Sequence, residues 1–172
     1  DAILATEDRD FYRHAGISLK RTFGAVFSNL KGGATQGGST LTQQLVKNLY
    51  LSPERTLSRK AREAVLAVIL DARYSKDDIF EAYLNEIYLG REGSIAITGV
   101  GEAARHYFGK EAADLDLAES ATLAAIIKAP NSYSPLRNPA RAMQRRDLVL
   151  KLMREEKKID DAQLRAALAE PM

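Results

Sequence analysis

The chain contains no cysteine, only two histidines, and no apolar run approaching the length of a bilayer. Without cysteine there is no disulfide, no thiolate metal site and no cysteine nucleophile, and the redox compartment is left open. His14 and His106 are too few for a histidine-rich metal centre. A spanning helix needs about 20 consecutive apolar residues, and nothing at the N-terminus resembles a signal peptide. The chain starts at Asp1, without an initiator methionine, and enters a motif at once, so it is expected to be a piece of a longer protein. Internal repeats and a second domain boundary are also missing. Continuous β-branched runs are scarce.

With 172 residues, 45% of them hydrophobic and 28% charged, one compact domain with a real core is expected. The net charge of +2 suits an anionic partner, such as a phosphate or a membrane surface, without identifying one. Its cations are scattered and accompany no nucleic-acid-binding motif, so no nucleic acid is expected. Alanine, leucine, glutamate, lysine and arginine recur at helical spacing, which predicts a mainly α fold.

The segment Glu7-Asp8-Arg9-Asp10-Phe11-Tyr12-Arg13-His14-Ala15-Gly16 packs three carboxylates, two arginines, a histidine and two aromatics into ten residues. As a helix it would put Glu7, Phe11 and His14 on one face, as a site wall. As plain structure it would be a charged first helix with Phe11 in the core. Ser18 can cap an amphipathic helix with Phe23, Val26, Phe27 and Leu30 on one stripe. That stripe suits either the core or a face lying in a membrane interface. Lys31 to Gly38 carries four glycines and breaks the pattern.

Thr40 and Gln43 then form a capping-box pattern at a glycine- and hydroxyl-rich helix start. Exposed N–H groups there, with Lys47 further along, make an anion site. Gln44, Lys47 and Asn48 share one polar face. Ser52-Pro53 predicts the next helix start. Along that helix Arg59 and Lys60 stand four and three residues before Glu63, either as an ordinary ion-pair cluster or as a clamp for a diphosphate. Ala64 to Leu70 is apolar on every side and is expected to be buried. Ser75 caps a helix carrying Ile79, Phe80, Tyr83, Leu84, Ile87 and Tyr88. Gly90 to Gly101 reads as a glycine-punctuated connection. A short helix follows over Val100–Phe108, and Asp116 with Glu119 opens an apolar helix over Leu117–Ile127. A proline-bounded loop from Lys128 to Pro135, a basic helix after Asn138-Pro139, and a last helix capped by Asp160 and Gln163 complete the chain.

In order, Glu7-Asp8-x-x-Phe11-x-x-His14-x-Gly16, Gly38-x-Thr40-x-Thr42-Gln43-Gln44, Arg59-Lys60-x-x-Glu63, Ile79 through Tyr83-Leu84-Asn85, and Ala124 to Pro130 with Tyr133 and Pro135 make up five blocks. This series resembles the family 51 peptidoglycan glycosyltransferases, the lipid II polymerising domain of class A penicillin-binding proteins and of monofunctional transglycosylases. Thr6 through Asn48, with Ala72 to Lys76, is most similar to the 1b type of class A penicillin-binding protein. The resemblance covers nearly the whole chain. It implies a single glycosyltransferase domain over residues 1–172, with a lysozyme-like helical core and a small membrane-associated jaw at about residues 17–50. It also implies the outer face of the bacterial cytoplasmic membrane as the location.

The implied reaction polymerises lipid II into β-1,4-linked glycan with inversion and release of undecaprenyl diphosphate. By the same resemblance Glu7 is the general base and Asp8 its neighbour in the site. Glu63 is the second glutamate, acting on the leaving diphosphate directly, acting through a divalent metal (Mg2+ or Mn2+), or orienting the cations. No cofactor is otherwise required. Ser39, Gln44, Lys47, Asn48, Arg59, Lys60 and Lys128 are the implied substrate-binding residues, moenomycin the implied inhibitor, and Phe23, Val26, Phe27 and Leu30 the membrane contact. Phe11, His14 and His106 are expected to be structural.

The chain departs from the family pattern in three places. A transmembrane anchor and a transpeptidase domain are not found in it, and Ser28-Asn29-Leu30-Lys31 matches a Ser-x-x-Lys element without its partners, so penicillin binding by this chain is not expected. Thr98 stands where the family has an aromatic. Two rival functions remain at this level. A lytic transglycosylase or muramidase would need no diphosphate clamp, whereas a non-catalytic membrane- or glycan-binding module would need no base.

Overall fold

The computed structural model describes residues 1–18, 38–51, 54 and 56–172. The Phe23–Leu30 stripe, the Lys31–Gly37 part of the glycine-rich segment, and the helix start at Ser52-Pro53 lie outside the described residues. The chain forms two compact units, one of Asp1–Arg9 with Ile87–Met172 and one of Asp10–Glu86. Both are mainly helical, as predicted.

In the first unit, α1 (Ala2–Glu7) is followed by strands β1 (Tyr88–Glu92) and β2 (Ile95–Thr98). In chain order there follow α5 (Val100–Phe108), a 3-10 turn, α6 (Leu117–Ile127), α7 (Pro139–Glu155) and α8 (Asp161–Ala169). The centre is α6. Its residues Ala118 and Ala121 through Ile126 are buried, as expected of a helix apolar all round. Asp116 and Glu119 close a reciprocal capping box at its start. Helices α1 and α7 pack against α6, and α8 packs on α7.

The glycine-punctuated Gly90–Gly101 connection holds most of a β-hairpin, which the sequence reading did not foresee. β1 and β2 pair antiparallel with Glu92 opposite Ile95, leaving Gly93 and Ser94 as a two-residue turn. Gly93 has φ +57°, and Ser94 is not among the positive-φ residues. A positive φ at the first central position alone is the requirement of a type II′ turn, which glycine meets without strain. The basic helix expected after Asn138-Pro139 forms over Pro139–Glu155, and within it Arg146 is turned inward. It is buried, with Nε and Nη2 donating to Asp147 Oδ1 and Nη1 to the Glu170 carbonyl at 2.8 Å.

The second unit is built on α2 (Leu41–Tyr50), α3 (Leu57–Arg73) and α4 (Lys76–Glu86), with α2 packed on both others. Leu41, Leu45 and Val46 from α2, Ala67 from α3, and Ile79 and Tyr83 from α4 are buried. Helix α3 opens at Leu57 with Thr56 as its cap, accepting from the Arg59 N–H at 3.1 Å. The apolar run after Glu63 is not buried on every side: Val65 is 59% exposed, and Val68 and Ile69 are exposed as well. The stripe of α3 that meets its neighbours runs through Glu63 and Ala67, so hydrophobicity all round the helix does not translate into burial all round it.

The Glu7–Gly16 segment is not one helix. α1 ends at Glu7, and Asp8, at φ −161° and ψ 74°, leaves helical geometry while its N–H still donates to the Leu4 carbonyl. Phe11 and His14 therefore share no helical face with Glu7. Phe11 is fully buried beside Phe80, with ring centroids 5.9 Å apart. Lys76 Nζ lies 4.7 Å from the Phe11 ring centroid, donates to the His14 carbonyl at 2.6 Å and pairs with Asp71. Both residues act as the packing and loop anchors expected of them.

Candidate active site

The predicted site residues fall on both units. Glu7, Asp8 and Lys128 belong to the first, whereas Ser39, Gln44, Lys47, Asn48, Arg59, Lys60 and Glu63 belong to the second. Glu7 is the last residue of α1 and is half-buried, and Asp8 after it is fully buried. Lys128 is exposed at the C-terminal end of α6.

The second unit brings four predicted residues into one cluster. Glu63 is only 2% exposed, and burying a charge is costly unless it is paired and hydrogen-bonded. Arg59 Nη1 donates to its Oε2 at 2.7 Å, and Lys60 Nζ to its Oε1. Lys60 Nζ also donates to Ser39 Oγ at 2.7 Å, which ties α3 to the residues just before α2. The i−4 and i−3 spacing produces the two ion pairs, because positions three and four apart face each other along a helix. Arg59 Nε is buried without a hydrogen-bond partner among the described residues.

Both Glu63 oxygens are engaged by cations, and among the described residues no three histidine, aspartate or glutamate side chains gather as a metal site would require. Two cations held side by side by one buried carboxylate can neutralise charge developing on a phosphate oxygen.

Helix α2 begins where the sequence predicted. Thr40 Oγ1 accepts from the Gln43 N–H at 3.2 Å, Gln43 Oε1 accepts from the Thr40 N–H at 3.0 Å, and Thr40 Oγ1 lies 2.6 Å from the Gly16 carbonyl, to which it donates. The helix start is thereby fixed to the segment that follows Phe11. Lys47 and Asn48 stand exposed in the last turns of α2. Gln44, on the same face, is half-buried, and its Oε1 accepts from the Tyr83 hydroxyl at 3.2 Å. In the sequence Tyr83 read as a core residue of its helix and as part of the fourth motif block, with no sign of a bond to Gln44. Its link to Gln44 spans 39 positions and leaves no local signal.

Among the described residues no helix is long and apolar enough to cross a membrane. Penicillin-binding protein 1B of Vibrio cholerae is 53% identical over 173 residues, covering 100% of this chain and 22% of its own length. Penicillin-binding protein 1B of Escherichia coli is 53% identical over 161 residues, covering 93% of this chain and 19% of its own length. A solved structure of penicillin-binding protein 1A from Haemophilus influenzae shares 32% identity, covering 77% of this chain and 16% of that one, at a TM-score of 0.49. The chain thus spans about a fifth of the length of the curated relatives it matches. A family model described as "Transglycosylase" matches residues 1–154, and with nine-tenths of its length so matched the chain belongs to the transglycosylase family.

Proposed function

We propose that the chain is a peptidoglycan glycosyltransferase domain that polymerises lipid II into β-1,4-linked glycan strands. The observation that carries the reading is the buried Glu63 carboxylate holding Arg59 and Lys60, with Lys60 also on Ser39. A hydrolase acting on neutral glycosidic bonds has no diphosphate for such a clamp to meet.

In the proposed step the 4-hydroxyl oxygen of the acceptor GlcNAc attacks C1 of the donor MurNAc from the face opposite the diphosphate. The new C1–O4 bond forms as the bond from C1 to the diphosphate oxygen breaks, and undecaprenyl diphosphate leaves with the electron pair. The hydroxyl proton passes to the Glu7 carboxylate, which an alcohol needs because it is a poor nucleophile while protonated. The leaving group is already anionic, so charge stabilisation helps it more than protonation does, and Arg59, Lys60 and Lys47 supply it. In this reading Glu63 orients the two cations and Asp8 supports Glu7. Ser39, Gln44, Asn48 and Lys128 bind phosphate or sugar oxygens, and the phosphoglycolipid moenomycin occupies the same positions. No resident Mg2+ or Mn2+ is required, so polymerisation is expected to persist in chelator.

The same proposal extends to the setting of the reaction. Lipid II sits in the outer face of the cytoplasmic membrane, and Phe23, Val26, Phe27 and Leu30 of a jaw at about residues 17–50 seat a lysozyme-like core against it. The deciding experiment incubates the protein with lipid II in detergent. Glycan polymer is expected; muropeptides released from sacculi with no polymer from lipid II would replace this reading with a cleaving enzyme. Inactivity in both assays would leave a binding module.

A further inference from the structure

The first unit carries a recess lined by none of the proposed functional residues. It is built from β1, α5 and the loop after α6, and its lining includes Gly90, Arg91, Tyr107, Asn131, Ser134 and Arg137. The Tyr107 hydroxyl donates to the Leu89 carbonyl at 2.9 Å, with the buried Ser134 and the Arg137 guanidinium beside it. Gly90 makes room for that hydroxyl: it has φ +142°, and a Cβ there would lie 2.3 Å from the Tyr107 oxygen.

The charge of the recess is of one sign. No carboxylate lines it, and two guanidinium groups do. Arg91 Nε donates to the Gly93 carbonyl at 2.9 Å, and Arg137 Nη2 donates to the Arg91 carbonyl at 3.4 Å, so backbone oxygens orient both side chains. Arg105 and Arg154 of the same unit each donate to a carboxylate, whereas Arg91 and Arg137 are paired with none among the described residues. A guanidinium has five N–H donors and no acceptor, so the group that complements two of them is an anion with more than one oxygen. Lipid II offers two such anions, a diphosphate on the lipid side and, on its MurNAc, a peptide that ends in a carboxylate. The Arg59–Lys60 pair proposed to meet the diphosphate lies in the other unit. The diphosphate also departs with the lipid, while the peptide stays on the glycan. The recess shares its unit with Glu7, and Asn131, Ser134 and Arg137 follow Lys128 within nine positions.

We propose that Arg91 and Arg137 form a carboxylate subsite, which takes the free carboxylate of the MurNAc-linked peptide during glycan polymerisation. The identity of the ligand rests on the function proposed above; the presence of an anion site does not.

The test has two arms. In the first, backbone amide NMR spectra of the wild type are followed as water-soluble GlcNAc-MurNAc-peptide is added, and again with the same compound amidated at its peptide carboxylates. Shifts at Gly90, Arg91 and Asn131 are expected with the acid and not with the amide. No shift in the recess with the acid, or equal shifts with both, overturns the inference. Inorganic phosphate is added as a further probe, and shifts with phosphate but not with the peptide acid would make the recess a phosphate site and remove the peptide from it. The second arm is steady-state polymerisation of the acid and amidated forms of lipid II in detergent by the wild type and by the Arg91→Gln/Arg137→Gln double variant. With the wild type, amidation is expected to raise KM about fivefold, the size of a solvent-screened charged pair. The double variant is expected to have a raised KM for the acid form and no preference between the two, at an unchanged thermal midpoint, since both arginines are exposed. A general distortion would raise KM for both forms without altering their ratio, so a preference that survives in the variant overturns the inference. Absence of polymer from the wild type would sink the proposed reaction, and the NMR arm would still decide whether the recess takes the acid.

Discussion

Glu63 is a buried carboxylate whose charge is met by the half-buried Arg59 and Lys60. Replacing it with glutamine removes the charge and leaves two cations facing an amide. Breaking a buried pair from one side costs several kcal/mol, and the 43% exposure of Lys60 reduces that through solvent screening. Glu63→Gln is expected to lower unfolding free energy by about 2–3 kcal/mol in urea titrations. A loss under half a kcal/mol would mean that solvent already screens the cluster.

Tyr107 gives a pH signature at the same scale. Burial first of all pushes its phenol above the ordinary tyrosine range, and its hydroxyl donates to the Leu89 carbonyl at 2.9 Å, a bond that needs the proton. A group whose folded pKa is raised contributes stability that is complete below its unfolded value, about 10, and is lost as pH rises through the folded value. Stability of the wild type should therefore fall between pH 9 and pH 11 by more than that of Tyr107→Phe, as urea midpoints at the two pH values would show. Parallel losses in the two proteins would remove Tyr107 from the account. The Arg59–Glu63–Lys60 cluster could be read in advance because helical spacing fixes which side chains meet. The Lys60–Ser39 and Tyr83–Gln44 bonds could not, since they join positions far apart in the chain.

Local chemistry decided most of the elements. Thr40 with Gln43, Asp116 with Glu119, and Asp160 with Gln163 form the reciprocal caps that their three-residue spacing announces. The hairpin was harder to see. Its strands are short, Gly90 interrupts the first, and the Gly93-Ser94 turn signal is one glycine pair among several. The outward face of α3 was illegible for a different reason, because burial depends on neighbours that no window of sequence contains.

One glycine at this scale has a defined job. Gly16 has φ +75°, and a Cβ there would collide with the Ala67 carbonyl of α3, while its own carbonyl accepts from Thr40 at the start of α2. Gly16→Ala thus combines left-handed strain with a backbone clash. It is expected to cost about 3 kcal/mol or more, against about 1–2 kcal/mol for Thr40→Ala, which loses a cap. Thermal midpoints rank the two, and a milder effect at Gly16 would show that the segment can move off α3.

On the scale of the whole molecule, the chain runs from one unit into the other at Arg9–Asp10 and back at Glu86–Ile87. No glycine, proline or composition shift marks either junction, which is why the sequence shows no boundary there. The division does separate chemical roles. The proposed base, Glu7, lies in one unit, and seven of the proposed functional residues, from Ser39 to Glu63, lie in the other. The hydrogen bonds of Glu63 with Arg59 and Lys60, of Lys60 with Ser39, and of Thr40 with Gln43 and Gly16 all lie within the second unit. Binding and proton transfer should then be separable by mutation. Glu7→Gln keeps the size and polarity of the side chain but cannot take the acceptor's proton, and is expected to lower polymerisation by about a hundredfold or more. Its affinity for moenomycin, measured by fluorescence polarisation, should stay within about twofold, since uniform binding does not draw on the base. Lys60→Ala is expected to do the reverse in the binding assay, weakening moenomycin about tenfold by removing a charge-assisted donor. Should Glu7→Gln lose moenomycin as strongly as Lys60→Ala does, Glu7 belongs to the binding set, and the proton acceptor has to be sought at another carboxylate.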